Sequence, residues 1–214
     1  MLFYKTDAPG RNWKLLALLI TFALGTMVNS GKDDVMVLFA LNRPLCWNSI
    51  IIGYFTATYA LLLTVGSILG IKLFGRCLTD GGIAILAVGI VTVMNAFQAF
   101  VSNTTMMFLV PVIGMFGTMF LPLIQSIMSK TVLEDEQGAL FAVIGSIETA
   151  TILGSISLFN MIYAGTVHWF AGFVFLVTTG ISLSALATYC IYVRISGIQL
   201  MTSKQKDRIP LLPD

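Results

Sequence analysis

The stretch Ile83–Ser129, IAILAVGIVTVMNAFQAFVSNTTMMFLVPVIGMFGTMFLPLIQSIMS, contains no Lys, Arg, Asp, Glu or His. A helix needs about 20 apolar residues to cross a bilayer. This stretch therefore holds two spans, divided by the polar Ser102-Asn103-Thr104. The apolar runs are continuous. The strands of a membrane barrel alternate polar and apolar residues instead. Helices also satisfy their own backbone hydrogen bonds in lipid, where no water is present to do so.

The rest of the chain follows the same pattern. Of 214 residues, 57% are hydrophobic and 10% charged, and the mean hydropathy is +0.92. Soluble domains carry about 25% charged residues, so a soluble fold of this length would lack the charge to cover its surface. Apolar runs predict six spans: Trp13–Ser30, Asn48–Ile71, Gly82–Val101, Met106–Met128, Gly138–Tyr163 and Trp169–Val193. The fold class is an all-α membrane protein. Residues 1–12 form an N-terminal segment, 13–193 the six-helix domain and 194–214 a tail. No cleavable signal is visible, and the first apolar run is long enough to be retained as a span.

Basic residues orient the chain, because cytosolic loops are enriched in Lys and Arg. An even number of spans puts both ends on one side. That side holds Lys5, Arg11, Lys14, Lys72, Arg76, Lys130, Arg194, Lys204, Lys206 and Arg208; the other holds only Lys32 and Arg43. Ten against two predicts that both termini are cytosolic. The net charge of +2 is too small to suggest nucleic acid.

Within the spans the residue of most interest is Glu148, a carboxylate about midway along the fifth. A charge at the bilayer centre costs roughly 2.5–3.5 kcal/mol on insertion scales, so it should face protein or water. Thr151 and Ser155 follow at i+3 and i+7 and extend one polar face. The stripe fits a proton-coupling carboxylate in a solute cavity, or a plain helix–helix hydrogen bond. In the fourth span Pro111, Gly114, Thr118, Pro122 and Gln125 share a face. Proline removes backbone hydrogen bonds, and bent helices near the midplane line transporter cavities. Gln125 is the expected solute contact there, with Thr118 beside it. In the third span Thr92, Asn95 and Gln98 share a face suited to interhelical bonding or to cavity lining. Gly66 and Gly70 form a GxxxG packing motif in the second.

Lys32-Asp33-Asp34 fits either a plain outer loop or the outer third of a longer first helix lining a vestibule. His168 is expected at the outer membrane edge. Asn103-Thr104-Thr105 matches a glycosylation sequon, placed too near the membrane to be an expected acceptor. Asp207, followed by Leu211 and Leu212, fits an acidic dileucine sorting signal read by clathrin adaptors. The three cysteines have no metal-ligand spacing. One edge histidine builds no catalytic triad, so neither an enzyme nor a cofactor is expected.

Pro44-Leu45-Cys46-Trp47, followed by Ile52-Gly53-Tyr54, resembles the junction of the seventh and eighth helices in solute carrier family 46. This is the proton-coupled folate transporter family of the major facilitator superfamily. Ser129-Lys130 with Glu136-Gln137-Gly138-Ala139-Leu140-Phe141 resembles the family's loop from tenth to eleventh helix. Phe159-Asn160, Tyr163-Ala164 and Gly172-Phe173 continue the likeness. The resemblance implies the carboxy-terminal six-helix half of a twelve-helix fold, with a solute site between halves and proton coupling. The folate branch has an arginine at the position of Gln125, lacks the carboxylate at Glu148 and uses a histidine for its pH response. The likeness therefore leans to the lysosomal and thymic stromal cotransporter branches. Their solutes are bulky amphipathic or conjugated small molecules.

The expected function is proton-coupled transport of a small organic solute, or the half of a protein that does this. The expected partners are solute, protons and bilayer. The lysosomal membrane is favoured as its location, with the plasma membrane as the alternative. A non-transporting chain that assembles with a full-length relative, or a homodimer of halves, is the competing expectation.

Overall fold

The computed structural model describes residues 11–196. Seven α-helices follow one another: α1 Arg11–Leu41, α2 Ser49–Phe74, α3 Asp80–Ala99, α4 Thr104–Gly114, α5 Phe120–Thr131, α6 Gln137–Thr166 and α7 Phe173–Ser196. Five are long and apolar enough to cross a membrane, and α4 with α5 makes a sixth crossing bent by 42°. This is the expected all-helical, six-crossing architecture. The dileucine residues Asp207, Leu211 and Leu212 lie outside the described residues.

Capping explains most boundaries. The side-chain oxygen of Asn48 accepts from Ile51 N at 3.0 Å and starts α2. Thr79 caps α3. Asn103 Oδ1 accepts from Met106 N at 2.9 Å and starts α4, so the sequon asparagine serves as a helix cap. The sixth span begins four residues later than expected, because Trp169 and Phe170 lie in the turn before α7.

The first span is the main correction. Its expected end is Ser30, with Lys32-Asp33-Asp34 left open between an outer loop and the outer third of a longer first helix. Instead α1 continues unbroken to Leu41. Lys32-Asp33-Asp34 contains no helix breaker, and the chain meets proline only at Pro44. Asn42 Nδ2 bonds back to Leu38 O at 3.0 Å where the helix ends. The charges stay in the helix by dividing between two directions. Lys32 points inward, while Asp33 and Asp34 face a groove.

The fourth crossing breaks between its two prolines. Pro111 lies inside α4, and a 3₁₀ turn at Gly117–Met119 precedes α5. Pro122 occupies the first turn of α5, where its missing N–H is tolerated. The GxxxG motif of α2 packs against this break: a Cβ on Gly66 would strike the Met115 carbonyl, and one on Gly70 would strike Met119.

Helix α1 packs against α6 and α7, and α7 also packs against α3. The apolar core forms two clusters. One holds Leu15, Phe22, Ile83, Leu140 and Tyr189. The other holds Phe39, Trp47, Phe55, Phe159 and Phe175. The two helix ends of the described chain meet near the first cluster, where Trp13 lies 6.3 Å from Tyr192.

Candidate functional site

A polar belt lies between the two apolar clusters. On α1 the gap falls between Phe22 and Val35, and contains Thr26, Asn29 and Lys32. On α6 it falls between Ile144 and Phe159, and contains Glu148, Thr151 and Ser155. On α7 it falls between Phe175 and Tyr189, and contains Thr178 and Ser182. Apolar packing flanks these polar side chains at both ends.

A small cavity of about 20 Å³ sits in this belt, lined by residues that include Asn29, Gly117, Thr118 and Ser182. A water needs roughly 10–15 Å³ of such space and at least two polar partners, so the cavity fits one water. Ser182 Oγ accepts from Asn95 Nδ2 at 3.3 Å, which ties α3 to α7. Gln98 is fully buried, with neither amide atom hydrogen-bonded within the described residues. Thr118 Oγ1 donates to Leu63 O on α2 at 3.2 Å. Asn95, Gln98 and Thr118 therefore sit inside the bundle wall, not on an open surface.

Glu148 lies on the face of α6 that turns toward α1, in line with buried Leu140, Ile144, Ser155 and Phe159. It is half-buried, as is Thr151. No hydrogen bond or ion pair reaches Glu148 from the described residues. Ser155 is buried, and its hydroxyl donates to Ile152 O at 2.9 Å. Gln125 on α5 is half-buried and shares no cavity with Glu148 among the described residues.

A second polar site lies farther along α1 and α6. Asn160 Nδ2 donates to Asp34 Oδ2 at 2.6 Å. Tyr163 OH donates to Leu38 O at 3.3 Å and accepts from Asn42 Nδ2 at 3.2 Å. Asn160, Tyr163 and Leu38 line an open groove of about 790 Å³ with Ser30, Asp33 and Asp34. Twelve residues separate Glu148 from Asn160, or about 18 Å along the helix. Sequence reasoning offered Lys32-Asp33-Asp34 as a vestibule but missed Asn160 as its partner. Asn160 in an apolar run was the available signal.

No family model matches the chain. Among curated proteins it is similar to the chicken lysosomal proton-coupled steroid conjugate and bile acid symporter, 37% identical over 191 residues that make up 88% of this chain and 40% of that one. The human symporter of the same name is 40% identical over 199 residues, covering 89% of this chain and 42% of the relative. The rat proton-coupled folate transporter is 34% identical over 185 residues, covering 83% and 39%. The chain belongs to solute carrier family 46. It spans about two-fifths of the length of these relatives.

The residues that carried the family 46 resemblance anchor the fold. Trp47 is buried, packs with its ring tilted against Phe55 and Phe108, and donates from Nε1 to Thr104 Oγ1 at 2.9 Å. Phe159 fills the space that Gly31 leaves open on α1. Gly172 packs against the Ala99 carbonyl. The motifs of this family 46 chain thus join α1 to α6, the first loop to α4, and the last turn to α3.

Proposed function

We propose that this chain is the carboxy-terminal half of a proton-coupled transporter of small organic solutes in the lysosomal membrane, exporting to the cytosol. The observation that carries the reading is Glu148, an intramembrane carboxylate at mid-depth in a bundle whose curated relatives are named as proton-coupled transporters. A half-buried carboxylate without a partner among the described residues is suited to taking and releasing a proton. Gln125 and Thr151 are the proposed solute contacts. Asn95, Gln98, Thr118 and Ser155 are proposed to support the site from behind, consistent with their burial and bonding. Both termini are proposed to be cytosolic. Moving Lys32 from a loop into a helix leaves Arg43 alone on the opposite side. The relatives' substrates, bile acids and steroid conjugates, point to amphipathic anions.

Proton-driven uptake tests the reading. The complete protein that carries this chain is reconstituted in vesicles with a pH gradient, and radiolabelled cholate is supplied. Uptake that follows the gradient is expected. Uptake equal to that of empty vesicles would overturn it.

A second reading has its own observation. Of the long helices, α2 and α6 are the least buried within the bundle. Two uncovered helices suit assembly with a second six-helix body, including one supplied by a full-length relative. Failure to co-purify with such a relative would remove that reading.

A further inference from the structure

Lys32 is the only charged side chain in the buried class among the described residues, at 2% exposure. It lies within a membrane-crossing helix, where a charge without a partner is costly. Its ammonium has three donors. One reaches Asn29 Oδ1 at 3.5 Å, at the long limit of a hydrogen bond. Asp33 Oδ1 is 3.9 Å away, and the ring of Tyr59 is centred 5.7 Å away. The buried Tyr59 hydroxyl faces this ammonium and has no other hydrogen-bond partner in the described chain. Two buried donor groups, Lys32 Nζ and Tyr59 OH, thus lie together with their hydrogen-bonding capacity largely unfilled.

The neighbouring carboxylates do not fill it. Asp34 is held by Asn160. Asp33 is 55% exposed and opens onto the groove between α1 and α6. A half-exposed carboxylate at 3.9 Å is a loose counter-ion, and Asp33 lines the groove that Lys32 itself does not reach in this structure.

We infer that Lys32 is the anchor for the anionic group of the solute. The anion enters from the α1–α6 groove, displaces the Asp33 carboxylate as counter-ion of the ammonium, and accepts a hydrogen bond from Tyr59. Lysine suits this role because its flexible stem lets a compact charge move toward the groove. The ligand class is an amphipathic carboxylate or sulfate. Its charge meets Lys32, and its apolar body lies along Val37, Leu38 and Ile156. The inference rests on the transport reading and deepens it.

Equilibrium binding to the complete protein that carries this chain, in lipid nanodiscs, tests it, with empty nanodiscs subtracted. The probes are radiolabelled cholate and its uncharged methyl ester at pH 7.5. The wild-type protein should prefer cholate by about tenfold or more, which corresponds to about 1.4 kcal/mol. Lys32→Met should lose the preference, Lys32→Arg should keep it, and Asp33→Asn should tighten cholate several-fold. A Lys32→Met protein that folds and still prefers cholate would overturn the anchor. So would a wild-type protein without the preference, or an Asp33→Asn protein with unchanged affinity. Proton-driven uptake is scored separately, so uptake that persists while charge preference never depended on Lys32 would refute the anchor and leave the transport reading standing.

Discussion

Glu148 and Lys32 are both ionisable groups on membrane-crossing helices, yet their surroundings differ. Glu148 is half-buried on an open stretch of α6, where a Cβ on neighbouring Gly145 would touch nothing within 4 Å. Lys32 is enclosed, and adjacent Gly31 faces Phe159 so closely that a Cβ there would strike the ring. The contrast separates two tasks. A carboxylate that exchanges protons needs access and few fixed partners. A charge that recognises an ion needs low dielectric and unfilled donors, because attraction grows as water is excluded.

Substitutions test this contrast, beginning with the tight side. Gly31→Val should wedge α1 from α6 and destabilise by about 3 kcal/mol, seen as loss of the monodisperse peak in size-exclusion chromatography. Gly145→Val should leave that peak intact; equal damage from both would erase the difference in packing. Next come opposite signs at one cluster. Asp33→Asn strips the ammonium of its counter-ion and should cost about 1–2 kcal/mol, less than for a fully buried pair because Asp33 is half-exposed. Lys32→Met removes the buried charge and leaves only a half-exposed carboxylate, so the thermal midpoint should hold or rise. Both variants shifting downward equally would contradict the enclosed-charge reading.

Smaller effects follow. Asn160→Ala should cost about 1.5 kcal/mol by breaking a hydrogen bond to a carboxylate between α1 and α6. The readout is a lowered melting temperature, together with faster cysteine labelling at a probe on Val37. Thr118→Val should cost about 1 kcal/mol through its bond to Leu63 O, without altering the groove. A Thr118→Val effect larger than that of Asn160→Ala would invert the ranking of the two regions.

The architecture was readable because lipid imposes a simple rule, an apolar run of fixed length per crossing. Ile83–Ser129 gave two crossings, and the paired prolines Pro111 and Pro122 gave the bend in the second. Gly66 and Gly70 were readable as packing, since small residues at that spacing have few other uses. The path of α1 was less legible. Three consecutive charges look like a loop by hydropathy, but hydropathy averages over directions. In the helix Lys32 turns inward, and its two carboxylate neighbours turn to a groove that only α6 completes. Asn95 and Gln98 were legible as polar on one face. Whether that face met a cavity or α7 depended on helix placement that no local pattern encodes.

The division of labour between the two regions is tested most directly in the complete protein that carries this chain. Uptake of cholate and methyl cholate is followed across a pH series in wild type, Glu148→Gln and Lys32→Met. Glu148→Gln should flatten the pH profile while keeping the preference for the charged probe. Lys32→Met should keep the pH profile while losing that preference. A Glu148→Gln protein with the wild-type pH profile, or a single variant that removes both properties, would contradict it.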